Sequence, residues 1–170
     1  VMYLVEKYNY DFGVMITASH NPSIFNGVKV FEKGGYDADV KFTDEIEKEL
    51  NRVENIAKLD FNDCISSNLI EVIDGVSPYC ENIIRFADNI KPTLKIGFDN
   101  LNGVAAIALK RLFSHFNLEK VYVLNEKRDP LFNNKMPNPI ESNLADLKKL
   151  VVEKRLDLGF ATDSDGDRLG

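Results

Sequence analysis

Three carboxylates stand at alternate positions in the run DSDGD, Asp163, Asp165 and Asp167, and Arg168 follows directly. Carboxylates this close disfavour one another's ionisation unless a cation sits among them. A set of oxygen donors selects a hard divalent ion, Mg²⁺ or Ca²⁺, over zinc. A calcium hand also opens D-x-D-x-D, but it requires glycine at its sixth position and a helix in front. Here Arg168 takes that position and the preceding run, LGFAT, is apolar and strand-like. A solvated acidic turn is the plain alternative. Arg168 weighs against it, because a guanidinium beside a metal loop is suited to holding phosphate oxygens.

A second candidate lies far upstream. Thr17-Ala18-Ser19-His20-Asn21-Pro22 offers a hydroxyl, an imidazole and an amide at a turn, with Asn26-Gly27 and Lys29 close behind. Taken singly these are weak signals: Ser19 reads as a turn residue, His20 as a surface histidine, Lys29 as an outward side chain. No G-x-S-x-G elbow flanks Ser19, so a serine hydrolase is not indicated. Three further groups carry less. Asp99, Asn100, Asn102 and Gly103 sit between a strand and a helix, where backbone N–H groups can bind anions but a plain turn is the simpler reading. Lys127 and Arg128 fall in a long loop and read as a solvated pair, and His115 carries no hypothesis.

These residues need elements to position them. The apolar run 13–18 predicts a strand delivering Ser19 to a loop over 19–26, and the alternation over 27–31 predicts a second strand ended by Gly34-Gly35. Thr43 followed by Asp44 and Glu45 predicts a helix with Ile46, Leu50, Val53 and Ala57 along one face. A strand is expected at 69–73 and a helix from Ser77-Pro78 to about Ile90, with a linker ending near Pro92. Beyond it the pattern is strand 94–98, helix 104–116, strand 121–124, helix 143–155 and strand 156–161. That rhythm predicts a parallel sheet whose functional loops lie at the carboxyl ends of its strands. The fold class expected is α/β, two Rossmann-like α/β units with mixed or parallel sheets. Residues 1–91 would finish a first domain plus linker and 92–170 would begin a second, the chain reading as truncated at both ends.

Composition narrows the function classes. Of 170 residues 44% are hydrophobic, enough for a packed core, and 21 basic against 27 acidic residues give a net charge of −6 without a basic block. Nucleic acid is therefore excluded as a partner, and an anionic substrate has to be attracted locally, by a metal or a few cations. No stretch reaches the roughly 20 apolar residues of a membrane span. Cys64 and Cys80 make no disulfide framework, which suits a reducing cytoplasm.

Read jointly, TASHNPSIFNGVKV and ATDSDGDR resemble the α-D-phosphohexomutase family, which includes phosphoglucomutases and phosphomannomutases. The first carries the family's S-H-N-P followed by N-G and K, the second its D-x-D-x-D-R loop, and Met136-Pro137-Asn138-Pro139 ahead of LGFATD resembles the second domain. Two departures are Ser164 and Gly166 in the spacer and Val104-Ala105-Ala106 in place of a more Gly-rich helix start. The resemblance implies that Ser19 is phosphorylated and that Mg²⁺ is held by Asp163, Asp165, Asp167 and a phosphoserine oxygen. It implies Arg168 and Lys29 as substrate-phosphate contacts, and Lys29 or His20, with Lys29 favoured, as the group moving the sugar hydroxyl proton. The implied partners are hexose phosphate and hexose 1,6-bisphosphate, glucose or mannose first, with the family's two further domains missing and these 170 residues inactive alone. A non-catalytic metal-binding or interaction module and a metal-dependent phosphohydrolase are the competing readings.

Overall fold

The computed structural model describes residues 1–87, 90 and 93–170. The junction expected between residues 91 and 92, with the linker ending near Pro92, lies outside the described residues. The chain divides into two compact units, one of Val1–Met15 with Lys29–Gly75, the other of Ile16–Val28 with Val76–Gly170.

In the first unit helix α1 (Met2–Tyr8) is followed by a three-stranded sheet in the order β1 (Phe12–Ile16), β2 (Val28–Glu32), β3 (Tyr36–Asp37). β1 and β2 are the two strands expected from the apolar run over 13–18 and the alternation over 27–31. The short β3 was not, because the chain reverses at Gly34 and Gly35, both left-handed at φ 89° and 79°, and pairs Glu32 with Tyr36 antiparallel. α1 lays Val5 and β2 lays Phe31 into a small core, 2% and 3% exposed. Helix α2 (Val40–Leu50) begins earlier than expected. Asp39, rather than Thr43, is the cap: its carboxylate accepts the Phe42 N–H at 2.8 Å, and the Thr43 hydroxyl turns back to the Val40 carbonyl. The helix ends at Leu50, so Val53 and Ala57 fall beyond it. Helix α3 (Phe61–Ser66), capped by Asp60, lies where the pattern was weakest. The strand expected at 69–73 does not form. The N–H groups of Leu69 and Ile70 instead close the end of α3 on the Cys64 carbonyl, at 2.8 and 3.2 Å.

The second unit follows the predicted rhythm: α4 (Val76–Phe86), β4 (Lys95–Asp99), α5 (Ala106–His115), β5 (Lys120–Leu124), α6 (Ala145–Lys154) and β6 (Leu158–Ala161). Its strands run in the order β5-β4-β6 and both neighbours are parallel to β4. Phe98 at the centre is fully buried, stacked on Phe160 at 5.0 Å and edge-on to Phe113 at 6.4 Å. Gly97 and Gly159 face each other across β4 and β6, and their missing side chains admit α6: a Cβ at Gly159 would lie 2.5 Å from Val151 and one at Gly97 would lie 3.2 Å from Leu147. The parallel register ends with Asp99, Leu124 and Ala161 at one edge, and the chemistry-bearing loop follows Ala161. Cys64 and Cys80 are buried thiols, one in each unit. Among the described residues no helix is long and apolar enough to cross a membrane.

Candidate active site

The acidic loop is a hairpin closed by main-chain bonds. Ala161 and Gly170 exchange two N–H···O bonds of 2.9 and 3.0 Å, and Thr162 bridges Leu169. Asp163 sits at its base with no solvent exposure, and its Oδ1 accepts the N–H groups of Asp167 and Arg168 at 3.1 and 3.0 Å. One oxygen from each of Asp163, Asp165 and Asp167 lies within 4.8 Å of the others. Burial, then the charges of Asp165 and Asp167, push the Asp163 carboxyl above its ordinary range, with the Arg168 N–H opposing them. A buried carboxylate made costly to ionise beside two more is the donor set a hard divalent cation would stabilise, so these residues fit Mg²⁺. Arg168 Nε stands 3.9 Å from Asp163 Oδ2 on a half-exposed side chain.

The neighbouring β4–α5 turn holds this loop from beneath. Gly103 packs directly against it: a Cβ there would come within 2.6 Å of the Ser164 carbonyl oxygen and 2.8 Å of its Cα. Val104 N–H donates to that same Ser164 oxygen at 3.0 Å. Asn100, fully buried, ties the turn together, since its Nδ2 donates to the carbonyls of Gly103 and Glu126 at 2.8 and 3.2 Å and its Oδ1 accepts the Ala106 N–H at 2.8 Å. Asp99 Oδ1 accepts from Leu101 N–H and Asn125 Nδ2. The plain-turn reading of this segment is the right one for Asp99 and Asn100, whose polar groups are spent on the fold.

The serine loop belongs to the same unit as the acidic loop. Ser19 Oγ donates to Asp163 Oδ2 at 3.1 Å, and His20 Nδ1 lies 3.4 Å from the same hydroxyl. Ser19 has φ 53°, a left-handed conformation that costs an L-residue roughly 1–2 kcal/mol. Its peptide is fixed on both sides. The Ser19 N–H donates to Thr17 Oγ1 at 2.9 Å, Thr17 Oγ1 donates to Asp165 Oδ2 at 3.0 Å, and Ser164 Oγ donates to the Ser19 carbonyl.

Six of the seven residues singled out as site residues are thus in one unit: Ser19, His20, Asp163, Asp165, Asp167 and Arg168. Lys29 is the second residue of β2 and belongs to the first unit, half-buried. Lys127 and Arg128 are exposed, and the Lys127 carbonyl accepts from Asn102. His115 ends α5 with its ring edge-on to Phe116 at 4.9 Å. Thr17, Ser164 and Asn100 are supports that sequence reasoning did not pick out as such. For Thr17 a signal existed, since a hydroxyl two residues before a turn residue is the pattern of a local side-chain-to-backbone bond.

Comparison with known proteins identifies the family. Residues 1–57 match the model of phosphoglucomutase/phosphomannomutase alpha/beta/alpha domain I and residues 77–170 match that of domain II. Phosphoglucosamine mutases from Clostridium beijerinckii and Limosilactobacillus fermentum are 36% and 34% identical to the chain over 99% of its length. The chain spans 37% and 36% of the length of those two relatives. A solved structure from Thermus thermophilus, assigned to the phosphomannomutases, superposes on 99% of the chain, and on 38% of its own, with a TM-score of 0.83 at 26% identity. With its serine and acidic loops joined in one unit and both domain models matched, the chain belongs to the phosphoglucomutase/phosphomannomutase family, the α-D-phosphohexomutases.

Proposed function

We propose that these residues form the phosphoserine and metal portion of a phosphohexomutase, which interconverts hexose 1-phosphate and hexose 6-phosphate through a hexose 1,6-bisphosphate. The observation that carries this reading is the 3.1 Å approach of Ser19 Oγ to Asp163 Oδ2 inside the three-aspartate cluster. A hydroxyl aimed at a cation site is well placed to be a phosphoryl carrier. Phosphoryl transfer depends mainly on positioning and charge stabilisation, so no separate triad is required. The proposed division of the chain is a first domain with its linker over residues 1–91 and a second domain over residues 92–170.

Phosphoserine brings nearly two negative charges to a place that already holds three carboxylates. Mg²⁺, held by Asp163, Asp165, Asp167 and a phosphoserine oxygen, would supply the balancing charge and stabilise the transferring phosphoryl oxygens. Arg168 is assigned to steady the outer phosphate oxygens with its guanidinium, and Lys29 is assigned as a second contact for substrate phosphate. As the sugar hydroxyl attacks the phosphoserine, its P–Oγ bond breaks and Ser19 leaves as the alkoxide, which takes up a proton. The 3.4 Å separation of His20 Nδ1 from Ser19 Oγ supports His20 for that serine-side proton. Lys29 is assigned the proton of the sugar hydroxyl. In the return step both transfers reverse.

Glucose and mannose phosphates are the sugars the acidic-loop sequence favours, and the names of the two quoted bacterial relatives add glucosamine phosphate. The reaction is assigned to a reducing cytoplasm, without nucleic acid or membrane. The 170 residues by themselves are expected to bind Mg²⁺ weakly and to give no useful turnover. The deciding experiment is intact-mass and phosphopeptide analysis of the whole protein, with a Ser19→Ala control, after exposure to Mg²⁺ and each hexose 1,6-bisphosphate. Phosphate on Ser19 that exchanges with sugar supports the mutase. Inorganic phosphate released without transfer to Ser19 points to a phosphohydrolase, and neither outcome leaves a binding module.

A further inference from the structure

Four residues and three hydrogen bonds close a ring between the serine loop and the acidic loop. Ser19 N–H donates to Thr17 Oγ1, Thr17 Oγ1 donates to Asp165 Oδ2, and Ser164 Oγ donates back to the Ser19 carbonyl, with Ser164 and Asp165 adjacent in the chain. The ring encloses the one peptide that must be held left-handed, at φ 53°, for the Ser19 hydroxyl to reach Asp163 Oδ2 at 3.1 Å. Ser164 is also where this chain varies the spacer of the D-x-D-x-D loop. A residue without a hydroxyl there would leave the Ser19 carbonyl without this donor.

We infer that Thr17 and Ser164 are positioning residues for phosphoryl transfer, a pair of hydroxyls that hold the Ser19 backbone in its reactive conformation by tying it to the acidic loop. This rests on the reading of Ser19 as the phosphoryl carrier. Both hydroxyls bond the main chain of Ser19, whereas its Oγ lies against Asp163 and His20. Each acts through the direction it gives to the Ser19 Cα–Cβ bond, and a small loss of aim at the reacting atom is expensive in rate.

The test uses the whole protein and follows rapid-quench transfer of phosphate from a labelled hexose 1,6-bisphosphate to Ser19, beside the Mg²⁺ concentration for half-maximal transfer. Ser164→Ala is expected to slow transfer at saturating sugar about tenfold, the scale of one lost hydrogen bond, with the Mg²⁺ requirement unchanged. Ser164→Thr, which keeps the hydroxyl, is expected to restore it. Thr17→Val combined with Ser164→Ala is expected to lose less than the product of the single losses, because both act on one peptide. In metal-free protein, amide hydrogen exchange at residues 19–21 is expected to quicken in Ser164→Ala and not in Ser164→Thr.

Transfer in Ser164→Ala at the wild-type rate overturns the inference. So does equal impairment of the alanine and threonine variants, which would make shape rather than the hydroxyl the cause. A rate loss matched by an equal loss of Mg²⁺ affinity also overturns it, since Ser164 would then act through the metal loop. Wild-type protein that never takes phosphate on Ser19 removes the mutase reading itself, and the positioning role falls with it.

Discussion

The two loops that meet at Ser19 and Asp163 are built by opposite means. The acidic loop is held by its own main chain: two bonds between Ala161 and Gly170, two N–H groups on Asp163 Oδ1, and Val104 N–H on the Ser164 carbonyl from below. The serine loop is braced by main-chain bonds of Thr17 to Gly27 and Asn21 to Ala18, but Ser19 itself is held through side-chain hydroxyls, and Ile24 at its tip is 85% exposed. Backbone geometry suits a set of ligands that must stay at fixed separation for a cation. Rotatable hydroxyls suit the role proposed for Ser19, whose side chain would alternate between a neutral hydroxyl and a phosphate with a change of nearly two charges.

If that contrast is right, damage to the acidic loop has the larger effect. Asp163→Ala removes a proposed cation ligand, the acceptor for two backbone N–H groups and the acceptor for Ser19 Oγ at once. Residues that merely support a metal ligand cost 10–100-fold when replaced, so the expected loss of Mg²⁺-dependent transfer exceeds about 100-fold. Steady-state rate against Mg²⁺ concentration checks it, and a loss below tenfold would show that the cluster is not the cation site. Next in size is Gly103→Val. Its Cβ would meet Ser164 backbone atoms at 2.6 and 2.8 Å, which cannot rotate away as a side chain would. Overpacking of this kind costs about 1–3 kcal/mol, read as a lower midpoint in urea unfolding, and the displaced loop should also need more Mg²⁺. Normal stability and normal Mg²⁺ dependence together would mean that the turn does not support the loop.

The same contrast explains what the sequence could reveal. The DSDGD run announced itself because its carboxylates are neighbours in the chain, and the β4–α5–β5–α6–β6 rhythm was legible because each element carries its own apolar period. The serine motif was legible only as a family resemblance. Its physical supports were not: Ser164 and Ser19 are joined across 145 positions, and Thr17 and Asp165 across 148, so no local pattern records either bond. Asn100 read as an ordinary turn residue, and its role as the tie of three segments depends on carbonyls at 103, 125 and 126 that only the fold assembles. In the first unit the misses were short elements. α1, α3 and β3 have too few residues for a period to show, and the strand expected at 69–73 lost to main-chain closure of α3.

The smallest predicted effect is a pH dependence confined to metal-free protein. Burial raises the Asp163 carboxyl above its ordinary value of 3.8, so between that value and the raised one the folded protein binds a proton that the unfolded chain has released. The stability contributed by protonated Asp163 is fully present below the ordinary value and is lost as pH rises through the raised one, at no more than about 1.4 kcal/mol per pH unit for one proton. Other carboxylates titrate nearby, so the quantity to read is a difference. Urea unfolding in EDTA should show stability falling with pH more steeply in wild type than in Asp163→Asn, which has no proton to lose. Saturating Mg²⁺ should flatten the wild-type curve, because the cation takes over the task of offsetting the buried charge, and should leave the asparagine variant nearly unmoved. Parallel curves for the two proteins in EDTA would mean that the backbone N–H groups on Oδ1 already stabilise the ionised carboxylate, and that the loop tolerates its charges without a cation.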